Sequence, residues 1–138
     1  MTADVAASLK DWSTTLASNQ PQGTTAIGAN LDDNLRQIQT TVRYLYAADT
    51  IASATTTDIG TKESGQLTVT GTTTITGFGT VSAGICKWVT FASVLLLTYN
   101  ATSMILPGGI NISTAAGDTA FMQSLGSGNW KCLSYLRA

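Results

Sequence analysis

The stretch Ile85–Ser113, ICKWVTFASVLLLTYNATSMILPGGINIS, decides how the chain folds, because the segments on either side read as attachments to it or covers over it. Ile85, Lys87, Val89 and Phe91 fall on one side of a pleated strand, and Cys86, Trp88 and Thr90 on the other, so both faces carry bulky groups. Val94-Leu95-Leu96-Leu97 is apolar without alternation. That is the pattern of a strand covered on both sides, and it predicts that something lies over the second face. In Leu106-Pro107-Gly108-Gly109, proline pre-sets φ at the second position and glycine accepts the positive φ of a type II turn at the third. Ile110-Asn111-Ile112 then returns as the next strand.

Working outward, short β segments separated by glycine or asparagine turns are predicted at Gln66–Thr70, Thr73–Thr76, Ile85–Phe91, Val94–Tyr99, Ser103–Leu106, Ile110–Ser113, Thr119–Leu125 and Trp130–Leu136. The fold class is mainly β, with about eight short antiparallel strands in a jelly-roll-like or β-sandwich module. Gly126-Ser127-Gly128-Asn129 is the clearest hairpin connection. Strict alternation after it puts Trp130, Cys132 and Leu136 on one face, and Lys131, Leu133, Tyr135 and Arg137 on the other.

Ahead of the β module, Leu31–Ala47 reads as an amphipathic α-helix. Asn30 is placed as its N-cap, Asp32 and Asp33 complement the helix dipole in the first turn, and Arg43 does so near the far end. Leu31, Leu35, Ile38, Val42 and Leu45 recur at steps of four and three, which suits either a coiled-coil seam or the inner stripe of an ordinary helix. Residues 1–29 read as an extended polar arm, broken at Asn19-Gln20-Pro21-Gln22-Gly23 and anchored by Trp12. Asp49–Glu63, rich in Ala, Ser and Thr, reads as a linker. The expected division is therefore 1–52 for arm and helix and 53–138 for the β module.

Charged residues make up only 11% of the 138, against roughly 25% in an average soluble protein, and Thr, Ser, Asn and Gly supply the polar surface instead. That balance suits long-lived β interfaces. If arm and helix stand apart, roughly 85 residues must build the β domain, a size at which oligomerisation is a natural source of stability. A net charge of −1 offers no basic footprint for nucleic acid. No apolar run approaches the ~20 residues of a membrane span, and the first twelve residues lack a signal-peptide pattern. Neither nucleic acid nor a membrane is an expected partner.

Histidine is absent, which removes Ser-His-Asp and Cys-His nucleophilic sites of the ordinary kind. Asp58, Glu63 and Asp118 are the carboxylates of the β region, and each has a turn or linker role that accounts for it without glycosidase chemistry. Gly71, Gly77, Gly79 and Gly84 lack the Gly-Lys-Ser/Thr and following helix of a phosphate loop. No enzyme activity, cofactor or metal is expected. Cys86 and Cys132 are either buried free thiols or a disulfide. Trp88, Tyr99 and Trp130 are candidates for a surface that stacks on sugars, with packing in the core as the alternative.

The first third, through Trp12, Asn19-Gln20-Pro21-Gln22-Gly23, Ile27-Gly28, Leu31-Asp32-Asp33-Asn34-Leu35-Arg36 and Ile38-Gln39, resembles the N-terminal segment of tailed-bacteriophage appendage proteins. The remainder resembles a module of phage structural and tail-fibre proteins. It does so through Val69–Thr80 (VTGTTTITGFGT), Leu97–Ser103, Ile105–Gly109, Ala116–Ala120 and Gly126–Trp130. The resemblance implies a virion protein assembled in the bacterial cytoplasm, a homo-oligomer with a trimer favoured. Trp12, Leu31, Leu35, Arg36, Ile38, Val42 and Leu45 would attach it to other virion proteins of the tail, portal or capsid, and the β module would face outward, where a host-surface glycan is a candidate partner. The chain lacks a long central shaft, which favours a short appendage or a protein lying flat on the capsid, with a short tail-fibre appendage or its adaptor as the leading expectation. A capsid cement protein clamping neighbouring subunits is the alternative, and a free carbohydrate-binding module is a third class.

Overall fold

In a computed structural model that describes residues 27–138, a helix, α1 (Ile27–Tyr44), leads into a mainly β domain. Its strands are β1 (Ala48–Ala52), β2 (Gln66–Thr70), β3 (Cys86–Phe91), β4 (Leu96–Leu97), β5 (Met104–Ile105), β6 (Ile112–Ser113), β7 (Thr119–Gly126) and β8 (Asn129–Leu136). Six of them form one sheet in the order β1-β2-β3-β7-β8-β5, and β4 pairs with β6 in a second, two-stranded sheet.

The strands are not all antiparallel as expected. β1 with β2, β2 with β3, and β5 with β8 run parallel. The cause is a winding of the chain in which successive coils lie on one another. Ala48 registers on Gln66 and Gln66 on Trp88, spacings of eighteen and twenty-two residues. Across the coil, Thr56 bridges Gly77 and Ile75 bridges Leu97, again in parallel. Each coil sends a tripeptide with a central threonine along the sheet: Asp49-Thr50-Ile51, Leu67-Thr68-Val69 and Val89-Thr90-Phe91. The flanking residues Leu67, Val69, Val89 and Phe91 are buried, and the threonines point the other way. Neighbouring coils thus supply the apolar cover that a single coil cannot provide for itself.

Asp49–Glu63, expected to be a linker, is instead the first of these coils, with β1 along the sheet edge and Thr57 and Ile59 fully buried. Threonine and alanine there suit the tight return of a coil whose interior is filled by its neighbours. α1 also differs in its bounds. It begins before Asn30, which therefore lies inside the helix, and it ends at Tyr44. Beyond it Leu45, Tyr46 and Ala47 donate to the carbonyls of Val42, Arg43 and Tyr44 at 3.2, 3.1 and 3.2 Å, a tightened last turn that hands the chain to β1.

β7 and β8 close the domain as an antiparallel hairpin against β3. Ser127 (φ 54°) and Gly128 (φ 80°) form the two-residue connection, the left-handed pair that matches the twist of adjoining strands. A register shift between Phe121 and Met122 leaves Leu133 without an opposite residue, and this bulge resets the faces of β8. Tyr135 joins Trp130 and Cys132 on the inner side, whereas Leu136 turns outward and is 69% exposed, reversing the alternation expected for both. Val94–Leu97 differs too. Leu95 and Leu97 are buried, but Val94 and Leu96 are exposed, so within the described chain the second face of this segment is open.

Trp130 is fully buried, edge-on to Phe78 at 6.1 Å, and its Nε1 donates to the Gly79 carbonyl at 2.7 Å. Gly79 itself has φ 79° and faces the Asp58 carboxylate so closely that no Cβ fits. Lys87 Nζ donates to the carbonyls of Lys62 and Ser64, and Ser64 Oγ donates to that of Ala47, whereas the buried Asp58 Oδ1 has no hydrogen-bond partner. Together these bonds tie the first coil and the helix exit to β3.

The chain terminus is fastened by Asp118, which is 1% exposed. Its Oδ2 accepts from Ala115 N (2.9 Å), Tyr135 Oη (2.6 Å) and Arg137 Nη1 (2.8 Å), and its Oδ1 from Ala138 N (3.0 Å). Burial by itself would raise the carboxyl pKa, but the Tyr135 and backbone donors with the Arg137 charge outweigh it and hold it at about 2. Tyr135 is correspondingly pushed up, by burial first and by the carboxylate second. A depressed folded pKa contributes stability that is complete above the unfolded value of 3.8 and is lost as pH falls toward about 2. Asp118→Asn should lower unfolding free energy by about 3 kcal/mol near neutral pH. In denaturant titrations across that acid window, the variant should lose less stability than the wild type; equal slopes would contradict the role of the carboxylate.

Candidate functional site

Two exposed surfaces concentrate the side chains that the fold leaves unused. The first is on α1. Leu31, Leu35, Ile38, Val42 and Leu45 are 50, 51, 39, 46 and 40% exposed. Thr41, by contrast, is 3% exposed and donates its hydroxyl to the Gln37 carbonyl at 2.8 Å. Among the described residues α1 makes no substantial packing contact with any strand, so its apolar stripe is exposed together with its polar sides, as an amphipathic helix docked on its own domain would not be. The structure keeps Leu31, Leu35, Ile38 and Val42 on one face of α1, the outcome their steps of four and three require, whereas Leu45 lies just past the helix end in the closing turn. Arg36 is also exposed. Trp12 and the rest of the arm up to residue 26 lie outside the described residues.

The second surface is the outer face of the six-stranded sheet. Register aligns two rows across it. Ala48, Gln66, Trp88, Phe121 and Ser134 make one, and Thr50, Thr68, Thr90, Thr119 and Leu136 make the next. Trp88 is 50% exposed and stacks on Phe121 with ring centroids 4.5 Å apart and planes at 24°, within the range of favourable offset aromatic pairs. A shallow groove beside it is lined by Ala48, Gln66, Leu67, Thr68, Trp88, Thr90 and Thr119. Leu133 and Leu136 extend the apolar area over β8.

Of the three aromatic candidates, only Trp88 stands on this surface. Trp130 is a core residue, as its Nε1 bond and full burial show. Tyr99 is half-buried against the core near Gly109. Sequence reasoning missed Gln66, Thr68, Thr90, Thr119 and Phe121 as partners of Trp88. The threonine-centred tripeptide recurring at eighteen and twenty-two residues is the signal that would have aligned most of them.

The carboxylates of the β region do not form an acid and base pair around this groove, since none lines it. Asp118 is committed to the terminal latch, and with a pKa of about 2 it holds no proton to donate at neutral pH. Among the described residues, no group of three or more His, Cys, Asp or Glu side chains is placed to hold a metal ion. No described helix is long and apolar enough to cross a membrane.

Cys86 and Cys132 are both free thiols. Cys86 lies on the outer side of β3, Cys132 on the inner side of β8, and β7 runs between them, so their Cβ atoms point apart. Burial pushes the Cys132 thiol up, which suppresses the reactive thiolate. Ellman's reagent should therefore titrate Cys86 in the native protein and Cys132 only after unfolding; simultaneous reaction of both would contradict this placement. No family model, no curated protein and no solved structure matches the chain.

Proposed function

We propose that the chain is a non-enzymatic structural protein of a tailed-bacteriophage particle, a short tail-fibre appendage or its adaptor. It assembles as a homotrimer through α1 and docks on other virion proteins through the same segment and the arm before it. The observation that carries this is the exposed apolar stripe on a helix that packs on no strand of the described chain. Five large side chains between 39 and 51% exposed along α1 and the turn that ends it are a surface that wants a partner outside the chain. Burying the remaining half of each is worth about 1 kcal/mol, so about 5 kcal/mol per chain, which is substantial for a helix of marginal intrinsic stability. In this reading the β module is a small sandwich-like knob carried on the helix.

A second reading, a capsid cement protein, is favoured by further exposed apolar side chains on the β domain. Val94, Leu96 and Ile110 are 61, 37 and 65% exposed, and contact on several sides suits a protein clamped among neighbours.

The two readings differ in stoichiometry. A few to a few tens of copies per particle, counted by mass spectrometry against the major capsid protein, would support the appendage, and near-equal numbers the cement. Absence from particles would overturn both. Independently, Leu35→Asp puts a charge in the seam and should weaken self-association by about 100-fold or more in sedimentation equilibrium, while leaving the thermal unfolding of the β domain unchanged. A wild-type chain that sediments as a monomer at all concentrations would exclude the trimer.

A further inference from the structure

The groove beside Trp88 has the chemistry of a sugar site, and we propose that it binds a neutral glycan by seating one hexose ring against the indole. Trp88 stands in register between Gln66 on β2 and Phe121 on β7. Phe121 occupies one face of the indole, at 4.5 Å, and does not line the groove. The opposite face of the indole is therefore the one turned to Ala48, Gln66 and Thr68. A ring held flat by a second ring loses little further freedom when it accepts a ligand.

A hexose presents C–H groups on the faces of its ring and hydroxyls around its edge, so it needs a flat aromatic wall with hydrogen-bonding groups beside it. The groove supplies both. Thr50, Thr68, Thr90 and Thr119 lie side by side across four strands, a row of hydroxyls at the strand spacing of about 4.8 Å. The Thr68 and Thr90 hydroxyls and the Gln66 carboxamide make no hydrogen bond to other described residues, so they are unspent. None of the residues lining the groove is charged. A neutral occupant is complementary to such a surface, whereas an anionic sugar, a nucleotide or a phosphate would surrender hydration and gain no counter-charge. This site is separate from the α1 stripe and does not rest on the assembly reading.

The test is isothermal titration calorimetry of the full chain with cellohexaose, maltohexaose and chitohexaose, and with hexagalacturonic acid as the charged comparison. At least one neutral oligosaccharide should bind, and the acid should not. Trp88→Ala should weaken binding by about tenfold or more, and Gln66→Ala and Thr68→Val by a few-fold each. Leu136→Ala, on the same face but outside the groove, should bind as the wild type does. Thr68→Val keeps the shape of the side chain and decides the matter if Trp88→Ala fails to fold. The proposal is overturned if none of the three neutral sugars binds, if Trp88→Ala and Thr68→Val retain full affinity, or if the acid binds equally well. It is also overturned if Trp88→Ala reduces the sedimenting mass, since a second copy of the chain would then occupy this face. Leu35→Asp should keep the affinity per chain, so loss of assembly and loss of sugar binding are separable.

Discussion

Inward packing between coils is the constraint on which the rest of the structure depends. A coil of about twenty residues encloses too little volume to exclude water alone, and it holds only when the coil beside it presents matching apolar groups. Here Ile51, Val69 and Phe91 register across three strands, and Leu67 registers on Val89. Parallel pairing then follows, because each coil returns to the sheet in the same direction as the one before. The cross-coil bridges at Thr56–Gly77 and Ile75–Leu97 show the same register carried to the opposite side.

A stack of coils has two open ends, and the two are treated differently. At one end the β7–β8 hairpin pairs with β3 and brings Trp130 into the interior, while Asp118 gathers Tyr135, Arg137 and the backbone of Ala138. At the other end β1 is an edge strand. There Asp49 accepts from the Thr50 amide at 2.7 Å and forms an ion pair with Lys62 at 3.0 Å. An edge amide already bonded to a side chain is a poor template for another strand, which discourages open-ended growth.

The polar composition acquires a physical meaning in this arrangement. Threonine branches at Cβ and suits a strand, yet its hydroxyl tolerates water, so one residue type serves the outward row across four strands without charge. A face so built is sticky to neither ions nor strands, and the one stacked aromatic pair on it stands out as the feature with binding chemistry.

Local chemistry alone settled much of this protein. The strands around Gln66–Thr70, Cys86–Phe91, Thr119–Gly126 and Asn129–Leu136 follow from alternation and from glycine turns with positive φ. The helix and its stripe of Leu31, Leu35, Ile38 and Val42 follow from apolar steps of four and three, because those spacings place side chains on one face whatever surrounds them. What tertiary structure decided is everything that depends on which segment lies beside which. The parallel order was not visible in separate strands, since direction is set by the return path of a coil. The placement of Tyr135 and Leu136 turned on a bulge at Leu133, and one unpaired residue inverts every face beyond it. Asp49–Glu63 has the composition of a linker and becomes a coil only because neighbouring residues fill its interior. Trp88 and Trp130 are the same residue type in similar strands, and only packing determined that one is the core's largest member and the other a surface ring. Periodicity is a property of consecutive residues and can be read from them, whereas burial is a property of contacts between residues far apart, which exist only once the chain has folded.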